Sequence, residues 1–311
     1  MPKEWYISFH GGDEKTSLNN IHVYSTDGKR LRKALNKKSV PEGITLRELR
    51  GFAFGPDKNL YVVNAYFEYS EVLKFNGALN RDGQHDFAGV FVKRHADLNP
   101  GIDHPFNVAF DSKGDLYVSS QNTSLVARYH GPAGKHGQPG LPMPFPQSLD
   151  SDLNLPPGTF VPSAKHVSNG LVEVREAIFA PDNNLYVADR AADCVRIYEA
   201  HTGHFLRNLV SGSDQVDRPI HLLLSPDGRY LFIGSGGTDS ILRHDLRRAP
   251  QRSLSRQNPV VLMARPEWHS ATTVLCMSPV EIRMRSSVTM PTTVDHRASH
   301  SSRTWRIIPS F

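Results

Sequence analysis

Four stretches of the chain share one hydrophobic pattern: a short apolar run, a polar turn, then a second run rich in β-branched and aromatic residues. They are Arg50-Gly-Phe-Ala-Phe-Gly-Pro-Asp-Lys-Asn-Leu-Tyr-Val-Val-Asn and Phe106-Asn-Val-Ala-Phe-Asp-Ser-Lys-Gly-Asp-Leu-Tyr-Val-Ser-Ser, followed by Arg175-Glu-Ala-Ile-Phe-Ala-Pro-Asp-Asn-Asn-Leu-Tyr-Val-Ala-Asp and Ile220-His-Leu-Leu-Leu-Ser-Pro-Asp-Gly-Arg-Tyr-Leu-Phe-Ile-Gly-Ser. Pro, Asp, Asn and Gly set or tolerate turn dihedrals, and the flanking Val, Ile, Tyr and Phe favour strands, so each stretch predicts a hairpin. A third strand follows each one: Ser70-Glu-Val-Leu-Lys-Phe, Ser124-Leu-Val-Ala-Arg-Tyr, Asp193-Cys-Val-Arg-Ile-Tyr and Ser240-Ile-Leu-Arg-His-Asp. Fourth strands are expected after Thr202-Gly and at Pro259-Val-Val-Leu-Met.

A four-stranded antiparallel unit repeated along one chain predicts a β-propeller. With Phe54, Phe110, Phe179 and Leu224 as equivalents, the repeats lie 56, 69 and 45 residues apart. The excess length falls in two insertions, around Gly77–Asp97 and at Gly131–His166. The second is rich in Pro and Gly and suits a surface excursion or a rim loop. Trp5-Tyr-Ile-Ser-Phe reads as a second strand, Ile21-His-Val-Tyr-Ser as a third, and Asp27-Gly-Lys-Arg-Leu as a turn into a fourth. The chain thus starts mid-blade, and ring closure calls for a strand from the C-terminus, which hides both sheet edges. The expected fold is all-β: a six-bladed β-propeller of four-stranded antiparallel blades, its last blade incomplete or irregular.

The pattern weakens near Arg265. Cys276-Met-Ser-Pro-Val-Glu-Ile resembles the start of a repeat, but no turn and no Leu-Tyr-Val run follow it. Residues 1–264 are assigned to the propeller body and 265–311 to an irregular or disordered basic tail. Disorder, a shifted reading frame and divergent closure strands, the remnant of a closing blade, are the three readings of that tail.

Charge sharpens the division. From Arg243 to the end stand eleven arginines, no lysine and four acids, whereas the whole 311-residue chain carries only +5. The basic balance belongs to the tail, which lacks the interleaved aromatics of a nucleic-acid face. No apolar run is long enough to cross a bilayer, and the first residues form no apolar leader segment, so a cytoplasmic protein acting as a monomer without membrane or nucleic-acid partners is expected. Cys194 and Cys276 are too few and too far apart for a disulfide framework or a metal knuckle.

Segments such as Asn183-Asn-Leu-Tyr-Val-Ala-Asp-Arg and Pro105-Phe-Asn-Val-Ala-Phe-Asp-Ser-Lys-Gly-Asp-Leu-Tyr-Val resemble NHL repeats and the related SMP-30/gluconolactonase-type propellers, roughly over Arg50 to Leu246. The resemblance implies a six-bladed fold and a site at the channel mouth. It leaves open lactonases and other hydrolases, lyases, condensing enzymes and protein-binding scaffolds.

Equivalent repeat positions should form rings around that mouth. One ring is Gly51, Asn107, Glu176 and His221. One residue earlier come Arg50, Phe106, Arg175 and Ile220, and two further back Glu48, His104, Glu173 and Arg218. The strand exits bring Asn64, Ser120, Asp189 and Ser235, followed by Gln121 and Arg190. Glu176, His221 and Arg175 are the candidate catalytic residues. Arg50, Phe106, Asn64, Gln121 and Arg218 are candidates for binding a small, possibly anionic, substrate. Glu176, Asn107 and Asp189 could ligate a divalent cation (Ca2+, Mg2+ or Zn2+), as the acid and amides of SMP-30-like enzymes imply. Asp189 equally suits backbone hydrogen bonding within its blade. Three functions follow: a metal-dependent hydrolase of the lactonase or esterase kind, a metal-free lyase, cyclase or condensing enzyme using Arg and His, and a non-catalytic scaffold. No phosphate-binding glycine loop or nucleophile elbow is present, so neither a nucleotide cofactor nor serine chemistry is expected.

Overall fold

The fold is taken from a computed structural model, which describes residues 4–9, 19–65, 70–135, 137–146, 149, 153–247, 262–263 and 274–277. The expected hairpins form. Blade II is β4 (Leu49–Phe54), β5 (Leu60–Asn64), β6 (Glu71–Leu79) and β7 (His85–Lys93). Blade III is β8 (Pro105–Phe110), β9 (Leu116–Ser120), β10 (Leu125–Tyr129) and β11 (Thr159–Val161). Blade IV is β12 (Val174–Phe179), β13 (Leu185–Asp189), β14 (Cys194–Tyr198) and β15 (Phe205–Val210). Blade V is β16 (Pro219–Leu224), β17 (Tyr230–Ser235), β18 (Ser240–Asp245) and β19 (Leu262–Met263). Blade I combines β1 (Glu4–Phe9), β2 (Asn20–Ser25) and β3 (Arg30–Lys33) with β20 (Val274–Met277), in the order β20-β1-β2-β3.

The six-bladed expectation is therefore corrected to five among the described residues. The first two residues of the segment that resembled the opening of a further repeat, Cys276 and Met277, end β20. It pairs antiparallel with β1, Trp5 opposite Met277, instead of starting a blade of its own. It takes the innermost place, beside β16 on one side and β4 on the other. N-terminal and C-terminal strands thus share one blade, as ring closure demanded. β20 lies within 265–311; the rest of that stretch is outside the described residues, as is Pro259-Val-Val.

The turns explain the hairpins. In Pro-Asp turns the aspartate accepts the backbone N–H two residues on: Asp57 from Asn59 at 3.2 Å, Asp182 from Asn184 at 3.1 Å, Asp227 from Arg229 at 3.1 Å. Asp57 and Asp182 also accept the hydroxyl of the tyrosine in the following Leu-Tyr-Val run, at 2.9 and 3.0 Å. The same run joins blades. Tyr6 meets Phe54 of the next blade edge-on at 5.7 Å, Tyr61 meets Phe110 at 5.0 Å, and Tyr117 meets Phe179 at 4.8 Å. Each such contact contributes about 0.5–1.5 kcal/mol beyond area burial. The apolar core lies between neighbouring blades.

The two insertions resolve differently. The first is largely strand: β6 and β7 run nine residues each and close on the turn Asn80–Gln84. The second separates β10 from β11 on the outer part of blade III, where its backbone bonds to Arg128 and His130. No helix among the described residues is long and apolar enough to cross a membrane.

Candidate active site at the channel mouth

A shared distortion shapes the mouth. The register of all four inner hairpins slips by one residue at the same level: between Leu49 and Phe52, Pro105 and Asn107, Val174 and Ala177, and Pro219 and His221. A bulge of this kind bends the strand and re-aims the side chains it carries. The bulges span Arg50, Phe106, Arg175 and Ile220 and border on the ring of Gly51, Asn107, Glu176 and His221.

Phe106 is the hub. Its ring is 5.1 Å from the guanidinium carbon of Arg50, 5.7 Å from that of Arg175 and 5.6 Å from the imidazole of His221. Those partners come from β4, β12 and β16, so the phenyl ring is surrounded by the inner strands of three other blades. Only 1% of Phe106 is exposed. The aromatic expected to bind substrate is buried, with Arg50, Arg175 and His221 packed against its ring.

Two carboxylate–histidine pairs cross blade boundaries around it. Glu176 Oε2 lies 3.2 Å from His221 Nδ1 and accepts the backbone N–H of Leu222 at 2.9 Å. The Glu176 side chain is 8% exposed and that of His221 27%. Glu48 Oε1 lies 3.0 Å from His104 Nε2, which is 3.2 Å from Arg50 Nη2. Arg50 also holds Glu48 through Nε at 2.9 Å and through Nη2. Among the described residues, Nη1 of Arg50 has no protein acceptor. Burial works to raise the Glu48 carboxyl, but the hydrogen bond from His104 and the charges of Arg50 and His104 outweigh it and hold it at about 2.

Arg175 is more enclosed. It bonds the Val174 carbonyl at 3.0 Å and Glu173, whose other partner is Arg190 at 2.8 Å. Burial lowers the Arg175 pKa and the Glu173 charge counters it. Arg175 therefore supports Phe106 and Glu173.

The other expected site residues lie elsewhere. Asn64 is wholly buried inside blade II, donating to the Thr45 carbonyl and Glu71 and accepting from the Arg47 N–H. Asp189, its counterpart in blade IV, accepts the N–H of Val172 and Glu173 and an ion pair from Arg196 at 2.8 Å. Ser235 plays the same part in blade V, accepting the Asp217 N–H at 2.9 Å. Asn64, Asp189 and Ser235 are thus clasps on the segments leading into β4, β12 and β16, whereas the Ser120 hydroxyl of blade III is buried without a hydrogen-bond partner among the described residues. Gln121 bonds backbone to backbone with His104 at 3.0 Å, and half-exposed Arg218 pairs with Asp217 at 3.4 Å.

The candidate metal ligands are in part engaged within the protein. The Asn107 amide donates to the Ala177 carbonyl at 3.1 Å, and Gly51 packs against its oxygen so closely that a Cβ there would stand 2.0 Å away. The Asp189 oxygens are committed within blade IV, and the Glu176 oxygen to Leu222 and His221. Among the described residues no three His, Cys, Asp or Glu side chains gather as a metal set.

The residues without an assigned role in the sequence were Glu48 and His104. Their signal was there: side chains of equal rank in consecutive repeats become neighbours, as Arg50, Phe106 and Arg175 also do.

No family profile and no curated protein matches the chain. Solved structures do. A virginiamycin B lyase from Staphylococcus aureus is 10% identical over 83% of this chain and 70% of its own, with a TM-score of 0.47. A protein from Lactobacillus plantarum is 16% identical over 79% of this chain and 63% of its own, at 0.47. A gluconolactonase from Xanthomonas campestris is 16% identical over 64% of this chain and 59% of its own, at 0.44. The chain spans roughly six- to seven-tenths of these chains, and likeness at this level leaves activity open.

Proposed function

We propose that the chain is a metal-independent enzyme that removes a proton next to a carbonyl group of a small molecule bound at the channel mouth beside His221, a lyase-type reaction. The observation that carries this reading is the Glu176–His221 pair: a buried carboxylate 3.2 Å from Nδ1 of a part-exposed imidazole at the channel mouth. A carboxylate at Nδ1 keeps the proton on that nitrogen and leaves Nε2 with its lone pair, the arrangement of a general base. Glu176 is then a positioning residue, itself fixed by the Leu222 N–H. The unengaged Nη1 of Arg50 can receive the carbonyl oxygen as negative charge develops there. Arg175 and Phe106 hold the platform.

A β-(para-nitrophenoxy) ketone serves as probe, because elimination releases coloured para-nitrophenolate. Turnover is expected to survive a strong chelator and to fall by roughly 10²–10⁴-fold in His221→Ala. Turnover that vanishes with chelation and returns with calcium, magnesium or zinc would overturn the metal-independent reading, and hydrolysis of a simple lactone or ester in place of elimination would favour the metal-dependent hydrolase. No turnover beyond the buffer rate would overturn the elimination reading.

A further inference from the structure

We infer that His104 is a second proton-transfer group of the same site, the acid that protonates the departing oxygen while His221 takes the carbon-bound proton. This rests on the elimination reading and extends it to substrates whose leaving group is a poor one, such as an alkoxide.

Three observations carry it. First, the Glu48–His104 pair repeats the plan of Glu176–His221: a carboxylate from one blade and an imidazole of equal rank from the next, at 3.0 Å. The exposure is the same too, 26% for the His104 side chain against 27% for His221. Second, the two pairs belong to one constellation. His104 touches Arg50, Arg50 lies over Phe106, and Phe106 lies against His221. Third, the His104 backbone is fixed at φ 51° by its N–H on Ser70 Oγ at 3.0 Å and its carbonyl on the Gln121 N–H at 3.0 Å, a turn the scaffold repeats at Arg218 (φ 49°) in blade V, so the ring starts from a fixed point.

The chemistry balances. His221 Nε2 takes the proton as the C–H bond breaks. That electron pair forms the new carbon–carbon double bond as the carbon–oxygen bond breaks. The oxygen leaves with its electron pair and takes up a proton from the His104 ring, which Glu48 holds in place at 3.0 Å. Solvent then moves a proton from His221 back to His104, and no other reactant is needed.

The test compares two probes on His104→Gln, whose amide can still bond Glu48. The para-nitrophenoxy ketone expels a stable anion without help; the matching β-methoxy ketone does not. Loss of roughly 10²-fold or more in kcat/KM on the methoxy probe, against tenfold or less on the nitrophenoxy probe, is the expected result. Equal losses on both probes, or none on either, would overturn the role of His104 while leaving His221 in place. A wild-type protein inactive on both probes would overturn the underlying elimination reading, and this inference with it. Circular dichroism melting of His104→Gln checks that the fold is kept.

Discussion

The Glu48–His104 and Glu176–His221 pairs stand at different ranks of the same channel mouth and differ in what encloses them. Glu48 is held by a guanidinium and an imidazole, Glu176 by a backbone N–H and an imidazole. At the rank of the second pair, blades II and III carry Gly51 and Asn107, and Gly51 makes room for the Asn107 amide. The contrast teaches how a repeat protein builds function. The scaffold supplies the same inter-blade neighbourhood at every boundary, and the residue type at each rank decides whether that neighbourhood is structural, ionic or reactive.

The sharpest way to break the comparison is Glu48→Ala. It leaves Arg50 partly buried without its carboxylate and should lower stability by about 3 kcal/mol, read from urea unfolding at neutral pH. Glu48 titrates at about 2 in the folded chain against an ordinary 4.5. A depressed carboxylate stabilises fully above its unfolded value and loses that contribution as pH falls through the folded one. The gap between wild type and variant should therefore be constant above pH ~5 and close between pH ~4.5 and ~2. A gap that stayed constant down to pH ~2 would show that the pair carries no net charge interaction.

Gly51→Ala should come next. The added methyl would stand 2.0 Å from Asn107 Oδ1 and 2.7 Å from its Cα, so it should cost about 1–3 kcal/mol, and the part due to the amide should disappear when Asn107→Ala is combined with it. Simple additivity in that double-mutant cycle would separate the two residues. The smallest effect is expected from Phe179→Leu. Leu224 already occupies the equivalent position in blade V, so the loss should be limited to the edge contact with Tyr117 plus modest repacking, about 1 kcal/mol in thermal unfolding. A loss several times larger would mean that the aromatic series between blades acts as a unit.

Much of this was legible beforehand. The Pro-Asp turns, the Leu-Tyr-Val strands and the equivalence of Phe54, Phe110, Phe179 and Leu224 all read directly from the chain, because they answer to local rules of turn geometry and strand propensity. Asp189 was readable as a backbone clasp for the same reason. Two things were misjudged. The blade number came out one too high, since Cys276-Met277 reads locally as the opening of a repeat and nothing in its composition says that its partner is β1, some 270 residues away. Phe106 was expected at the surface, since an aromatic at a ring position reads as a contact for ligands until the width of the channel is known.

What the amino-acid sequence determined by itself is therefore the repeating unit: hairpins, their turns, the third strands and the rank of each polar residue within a repeat. The periodicity of strands and the chemistry of turns act over a few residues, so they are written locally. Only the tertiary structure decided how many units close the ring, which ranks meet across a blade boundary, and that a one-residue bulge in every inner hairpin lies at the channel mouth. Those outcomes depend on strands distant in the chain packing around one axis, where Phe106 of one blade meets Arg50, Arg175 and His221 of three others.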